Sequence, residues 1–103
     1  MGLFSNKEEI VGIDVGSNAV RVVQLKKGFN KPVLAAYGSA QIPANLAQSD
    51  SKLDVQKVAD IIKKLIRSSH ISTKNVATAL PGSAVFTTVI KLPPMTPGEL
   101  AQA

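Results

Sequence analysis

The stretch Ile10-Val11-Gly12-Ile13-Asp14-Val15-Gly16-Ser17-Asn18-Ala19-Val20-Arg21-Val22-Val23 decides how the rest of the chain is read. Ile10 to Val15 is an apolar run rich in β-branched residues, and Gly16-Ser17-Asn18 ends it, which predicts a buried strand running into a tight turn. A second strand follows at once over Ala19 to Leu25, setting Val20, Val22 and Leu25 against Arg21 and Gln24. After the polar turn Lys26-Lys27-Gly28-Phe29-Asn30-Lys31-Pro32, a third strand from Val33 to Ile42 completes an antiparallel meander, and Pro43 stops it. The first turn carries chemistry as well as shape. An aspartate at the end of a buried strand, followed by small residues, sets a carboxylate beside backbone N–H groups that can approach a polyphosphate closely. Asp, Gly, Ser and Asn are also what any hairpin turn selects, so on these residues alone both readings stand.

Outward from that hairpin, residues 43–51 are a polar connection in which Ser51-x-x-Asp54, or Asp54 itself, can cap a helix. Val55, Val58, Ala59, Ile62, Leu65 and Ile66 recur at spacings of three and four, while Gln56, Lys57, Asp60, Lys63, Lys64 and Arg67 face water. Asp54 and Asp60 lie early in this helix and Lys63, Lys64 and Arg67 late, which suits the macrodipole, and Asp60 is placed to pair with Lys64. The run Asn75 to Leu80 reads as a strand ended by Pro81-Gly82, and Val85 to Leu92 as a last strand before Pro93-Pro94-Met95. Thr96-Pro97-Gly98-Glu99 then has the cap, the N1 proline and the N3 glutamate of a beginning helix. So short a helix, with no amphipathic continuation, raises the expectation of a truncated piece of something larger.

Composition narrows the classes. The 103 residues are 45% hydrophobic, 18% charged and 4% aromatic, a globular balance that bounds the chain to one ordinary domain or part of one. It has no cysteine, which excludes a disulfide scaffold, a thiolate zinc site and a cysteine nucleophile. Twelve Lys and Arg against seven Asp and Glu give a net charge of +5, yet the basic residues are scattered, with no arginine cluster and no interleaved aromatics, so nucleic acid is not the expected partner. No apolar run approaches the roughly 20 residues of a bilayer-spanning helix. The N-terminus has no apolar core of a secretory signal, and Asn6 breaks the myristoylation pattern, so the expectation is a protein that stays where it is made. Residues 1–7 read as a flexible terminus, with Leu3 and Phe4 as its apolar positions.

Other chemistries lack their parts. His70 is the only histidine and follows a helix end, where a cation is favoured; without cysteine, a second histidine or clustered carboxylates it does not read as a metal ligand. Ser17, Ser39 and Ser83 have no assembled base, and Gly-x-Ser-x-Gly does not occur. No catalytic residue is assigned.

Taken in order, the segments resemble the actin/Hsp70/hexokinase-like ATPases, whose first phosphate motif is an apolar strand, Asp-x-Gly-Ser/Thr and a hairpin into a second strand. The chain is most similar to the FtsA-like branch and, within it, to the PilM family of type IV pilus assembly. The residues that carry this are Gly12-Ile13-Asp14-Val15-Gly16-Ser17 with Val20 to Leu25 behind it, then Val76-Ala77-Thr78-Ala79-Leu80-Pro81-Gly82-Ser83, then Ile90-Lys91-Leu92-Pro93-Pro94-Met95 before a Glu-Leu helix.

The resemblance implies an α/β (α+β) fold: an actin-like/ribonuclease H-like core half with a three-stranded antiparallel meander, one main helix and a further strand, plus the start of the FtsA-type inserted subdomain. Residues 8–82 would be the first core subdomain and 83–103 the beginning of the inserted one. It implies ATP and Mg in a full-length protein, with Asp14 holding the Mg through water, Gly16, Ser17 and Asn18 contacting phosphate, and Arg21 as the basic residue facing it. The family's second phosphate loop and adenosine loop do not occur in these residues, so half a site and no turnover by this chain alone are expected. It also implies a protein of the cytoplasm, peripheral at the inner membrane, that docks the cytoplasmic N-terminal segment of the membrane protein PilN and meets other inner-membrane pilus assembly proteins. Val85, Phe86, Val89, Ile90 and Leu92 are the candidates for that docking, against their ordinary role as core. Exposed strand edges also raise self-association. Another FtsA-like or Hsp70-like ATPase, or a small basic binding module without nucleotide, are the competing readings.

Overall fold

The computed structural model describes residues 9–103, so the expected flexible terminus at residues 1–7 lies outside the described residues. Strands β1 (Ile10–Val15), β2 (Ala19–Lys26) and β3 (Val33–Gln41) form the antiparallel meander that the turn residues predict. Helix α1 (Lys52–Ser68) crosses over and delivers the short strand β4 (Val76–Thr78) parallel to β1, giving one sheet of order β3-β2-β1-β4. The mixed sheet with one main helix is the expected α/β half-core.

The core lies between one sheet face and α1. Register pairs Val15 with Val20, Ile13 with Val22 and Val11 with Gln24, so these side chains share a face. Val11, Val20 and Val22 are buried there with Ile42, Leu46 and Leu65. Helix α1 approaches β3 over Gly38, where an added Cβ would stand 3.0 Å from Leu65 Cδ1 and 3.1 Å from Ser69 Cβ. Gly38 is therefore the point that lets the helix settle on the sheet.

Gln24 departs from expectation. Its polarity sets it with the outward residues, but strict alternation from Val20 and Val22 carries it onto the core face, where it is 2% exposed. Its amide is satisfied there: Nε2 donates to Ser72 Oγ at 2.8 Å and to Glu9 Oε2, and Oε1 accepts from the Ser72 N–H at 3.0 Å. The same alternation puts Leu25, paired with Ile10, on the opposite face, where it is only half-buried; the β2–β3 pairing shifts register between Gln24 and Leu25.

The ends of α1 are also made differently from the sequence expectation. Ser51 occupies the N-cap with no side-chain cap bond; Ser49 Oγ donates to Asp54 Oδ2 at 2.7 Å and accepts from the Ser51 N–H at 3.2 Å. Asp60 accepts from Gln56 at 3.0 Å and forms no ion pair with Lys64; the helix pair that does form is Lys57 with Asp54 at 3.8 Å. At the C-terminus the N–H of Ile71 donates to Ile66 O and that of His70 to Arg67 O, the paired bonds of a Schellman ending. His70 fills its left-handed position at φ 56°, where glycine is usual.

Beyond β4 the expected strands contract. The strand read over Asn75–Leu80 is Val76–Thr78, because Pro81 removes a donor and only the edge of β1 is offered to it. Gly82–Ala84 form a single 3-10 turn, and the strand read over Val85–Leu92 does not form. No backbone hydrogen bond involves residues 86–95 among the described residues, since no other strand lies beside them to complete a ladder. Helix α2 (Pro97–Gln102) begins as predicted, with a capping box in which the Glu99 N–H donates to Thr96 Oγ1 and the Thr96 N–H to Glu99 Oε2 at 2.8 Å.

Candidate functional site

The β1–β2 turn is held from within. The Gly16 N–H donates to Ala19 O and the Ile42 N–H to Asn18 O, both at 2.9 Å, so the turn is fastened to the end of β3. A Cβ on Gly16 would lie 3.1 Å from Ala19 O, a crowding that glycine avoids. Ser17 and Asn18 are exposed at the tip.

Two surfaces meet at this turn. On one side Val15, Gly16 and Ser17 wall an open cleft of about 650 Å³, closed by Gln48, Ser49 and Asp50 from the β3–α1 connection and by Pro81, Ser83 and Ala84 from the 3-10 turn. On the other side lies the sheet face that α1 does not cover. There Asp14 and Arg21 sit directly opposite in the ladder, and Arg21 Nη1 approaches Asp14 Oδ2 at 3.7 Å. Both side chains are well exposed, so the pair contributes at most about 1 kcal/mol and leaves each group open to another partner. The guanidinium also reaches the turn, since Nη1 lies 3.7 Å from where a Gly16 Cβ would stand.

The five phosphate-site candidates are thus close in space but divide between the two surfaces. Asp14, Gly16 and Arg21 cluster on the uncovered side; Gly16 and Ser17 face the cleft; Asn18 anchors the turn through its carbonyl and exposes its side chain. A carboxylate, a hydroxyl, an amide and a guanidinium around one glycine turn form a donor set that suits one side of a Mg-polyphosphate. Sequence reasoning missed Gln48, Ser49, Asp50 and Ser83 as cleft walls. Their only signal was polarity within segments that also served as linkers. Among the described residues no three His, Cys, Asp or Glu side chains gather into a group that could hold a metal by themselves.

The docking candidates are placed outside the core. Phe86, Val89 and Ile90 are 91%, 88% and 74% exposed, with Val85 and Leu92 also exposed. Their ordinary role as buried core is not the one they have here.

Residues 12–100 match the family described as type IV pilus assembly protein PilM. The chain belongs to this family. Among solved structures it is similar to a PilM-PilN type IV pilus biogenesis complex, with 28% identity and a TM-score of 0.70 over 93% of this chain. The half-core described above therefore has the PilM fold, which is actin-like. The alignment covers 28% of that solved chain, so the present residues span little more than a quarter of its length. A PPX-GPPA enzyme of Aquifex aeolicus is also similar, at 13% identity and a TM-score of 0.49 over 68% of this chain and 25% of that one, a level that bears on neither fold nor function here.

Proposed function

We propose that the chain serves type IV pilus assembly as the part of a PilM protein that presents the first phosphate turn and docks the cytoplasmic N-terminal segment of PilN. The observation that carries this is the family match over residues 12–100, which spans the Asp14–Arg21 hairpin and the exposed segment Val85–Leu92 together. The similar solved complex contains PilN, which supports PilN as the partner class. The chain works at the cytoplasmic face of the inner membrane, peripherally, with other assembly proteins there.

Bound Mg would supply charge neutralisation to the phosphates of ATP. Within this chain Asp14 offers carboxylate oxygens to metal-bound water, Ser17 and Asn18 offer donors at the turn tip, and Arg21 adds positive charge beside Gly16. One wall of a site does not position a nucleophile, so the chain alone shows no ATP turnover. Phosphate release that scales with protein concentration would refute this.

For docking, the segment Val85–Leu92 offers, from Phe86 onward, free backbone donors and acceptors to an extended peptide, with alternate side chains supplying specificity. The test is fluorescence anisotropy with a labelled peptide of the PilN N-terminal segment. Saturable binding that weakens at least tenfold in Ile90→Asp supports the proposal; equal affinity of the two proteins, or no binding at about 200 μM chain, a level at which even a weak specific peptide complex would register, overturns it.

A further inference from the structure

The β2–β3 turn joins an aromatic apex to a basic collar. Residues 27–32 link the end of β2 to the start of β3, and at their apex Phe29 is 101% exposed. Lys26, Lys27 and Lys31 stand within three residues of it, all exposed. No acidic residue occurs between Asp14 and Asp50, so β2, the turn and β3 carry no carboxylate.

The exposure of Phe29 is set inside the turn. A Cβ on Gly28 would run into Lys31 O and stand 2.7 Å from Val33 Cγ2. Glycine therefore lets the returning chain close over position 28, and the inner side of the turn is taken by that backbone and by Val33, which leaves the Phe29 ring outside. Lys27 and Lys31 each lie two residues from Phe29, and an ammonium is almost never buried without a paired anion. Any surface that covers the ring must therefore also receive two positive charges.

The fold sorts charge along the sheet in the same sense. Asp14, Asp50 and Asp54 belong to the end with the β1–β2 turn. The α1–β4 connection, tied to Gln24 by Ser72 and to Glu9 by Thr73, carries Lys74 to the opposite end, where the Glu9 carboxylate already accepts from Gln24.

We propose that the β2–β3 turn is a membrane-contact loop, in which Phe29 enters the headgroup boundary of an anionic bilayer while Lys26, Lys27 and Lys31 hold lipid phosphates. The lysine stems reach past the ring, so their ammonium groups stay at headgroup level as the ring sinks. Each lysine near such a surface is worth about fivefold in affinity, and the single aromatic roughly tenfold more. The contact is weak and reversible, half-saturated at roughly 1 mM accessible lipid, and it turns the β1–β2 turn away from the bilayer. Nucleic acid is the poorer fit, since one ring with no arginine in the turn gives no stacking platform. The proposal rests on the reading of the chain as peripheral at a membrane, but it does not use Val85–Leu92 or PilN.

The experiment is flotation of the intact gene product with vesicles of phosphatidylcholine containing about 30% phosphatidylglycerol, against pure phosphatidylcholine, each without PilN. Wild type is expected to float with the anionic vesicles only, and to be released at about 0.5 M salt. Phe29→Ser is expected to weaken binding roughly tenfold, and Lys27→Gln with Lys31→Gln by at least as much. The emission gained by Phe29→Trp over wild type should move to shorter wavelength on anionic vesicles and be quenched by bromine atoms on the lipid chains. All of these changes lie in the turn, and far-UV circular dichroism checks that the sheet and helix are unaltered. No flotation at about 5 mM anionic lipid overturns the proposal. So do variants that float like wild type, equal binding to neutral vesicles, or bound Phe29→Trp whose emission does not move. Anisotropy of the labelled PilN peptide on the same preparations reports the docking reading separately: peptide bound and vesicles not bound overturns the loop alone.

Discussion

Replacing Gly38 by alanine tests how α1 is seated on the sheet. The added methyl would run into Ser69 Oγ and stand 3.0 Å from Leu65 Cδ1 and 3.1 Å from Ser69 Cβ. Leu65 belongs to the buried cluster, and Ser69 is the C-cap whose N–H donates to Leu65 O, so neither neighbour can swing away without disturbing the helix end. Overpacking of this kind costs about 1–3 kcal/mol. Alanine also stiffens the unfolded chain, which returns about 0.4–1 kcal/mol. The net expectation is a loss of about 1–2 kcal/mol, a large part of the stability of so small a domain. Urea unfolding followed by far-UV circular dichroism reads it as a lower midpoint with an unchanged slope. Ser69→Gly in the same chain removes both of the Ser69 atoms that crowd the methyl and should recover part of the loss. If Gly38→Ala alone is as stable as wild type, α1 does not rest on β3 at this point and the packing described here is wrong.

Three other outcomes are expected. His70→Gly relieves a left-handed conformation that costs a non-glycine residue about 1–2 kcal/mol, offset by about 0.4–1 kcal/mol of unfolded-chain freedom, so thermal unfolding should move up by a few degrees rather than down. Gln24→Ala leaves the Ser72 N–H without its acceptor inside the fold and should cost about 1–3 kcal/mol by the same urea assay, whereas an exposed Gln41→Ala should be near neutral. The Glu99 carboxyl is held below its ordinary value first by the Thr96 N–H and then by the Thr96 hydroxyl. Its cap is therefore complete above the usual carboxylate range and is lost as pH falls through the lowered value; the α2 amide signals in NMR should show fraying on that acid titration, and Thr96→Ala should show the same fraying at neutral pH.

How far the chain can be read from its residues depends on where neighbours decide. The hairpin is legible because Gly16, Asn18 and the β-branched runs agree on turn and period, and α1 because its apolar spacing is unambiguous. Gln24 is misread when its type outweighs its position; counting by two from Val20 puts it inside, and only the partners on Ser72 and Glu9 explain why an amide is tolerated there. Val85–Leu92 has every local feature of a strand and is not one, because a strand is a pairing and the partner must come from elsewhere. The cleft walls Ser49, Asp50 and Ser83 are far from Gly16 along the chain, and nothing in their own spacing announces that the β3–α1 connection and the 3-10 turn converge on it.

The position of β1 inside the sheet has a consequence during synthesis. Among the described strands β1 is translated first, and its hairpin partner follows after only a few residues, yet its other edge is closed by Val76–Thr78, registered on Val11–Ile13. At roughly 5–20 residues per second, the ribosome needs about 3–13 s to make that closing strand. For that interval the nascent chain presents an open edge beside the β1–β2 turn, and the parallel pairing that shields it must wait for the whole crossover helix. The newly made chain is most exposed to misassembly then, which makes the stretch between Pro43 and Thr78 the place where slower or faster decoding changes the yield of folded protein.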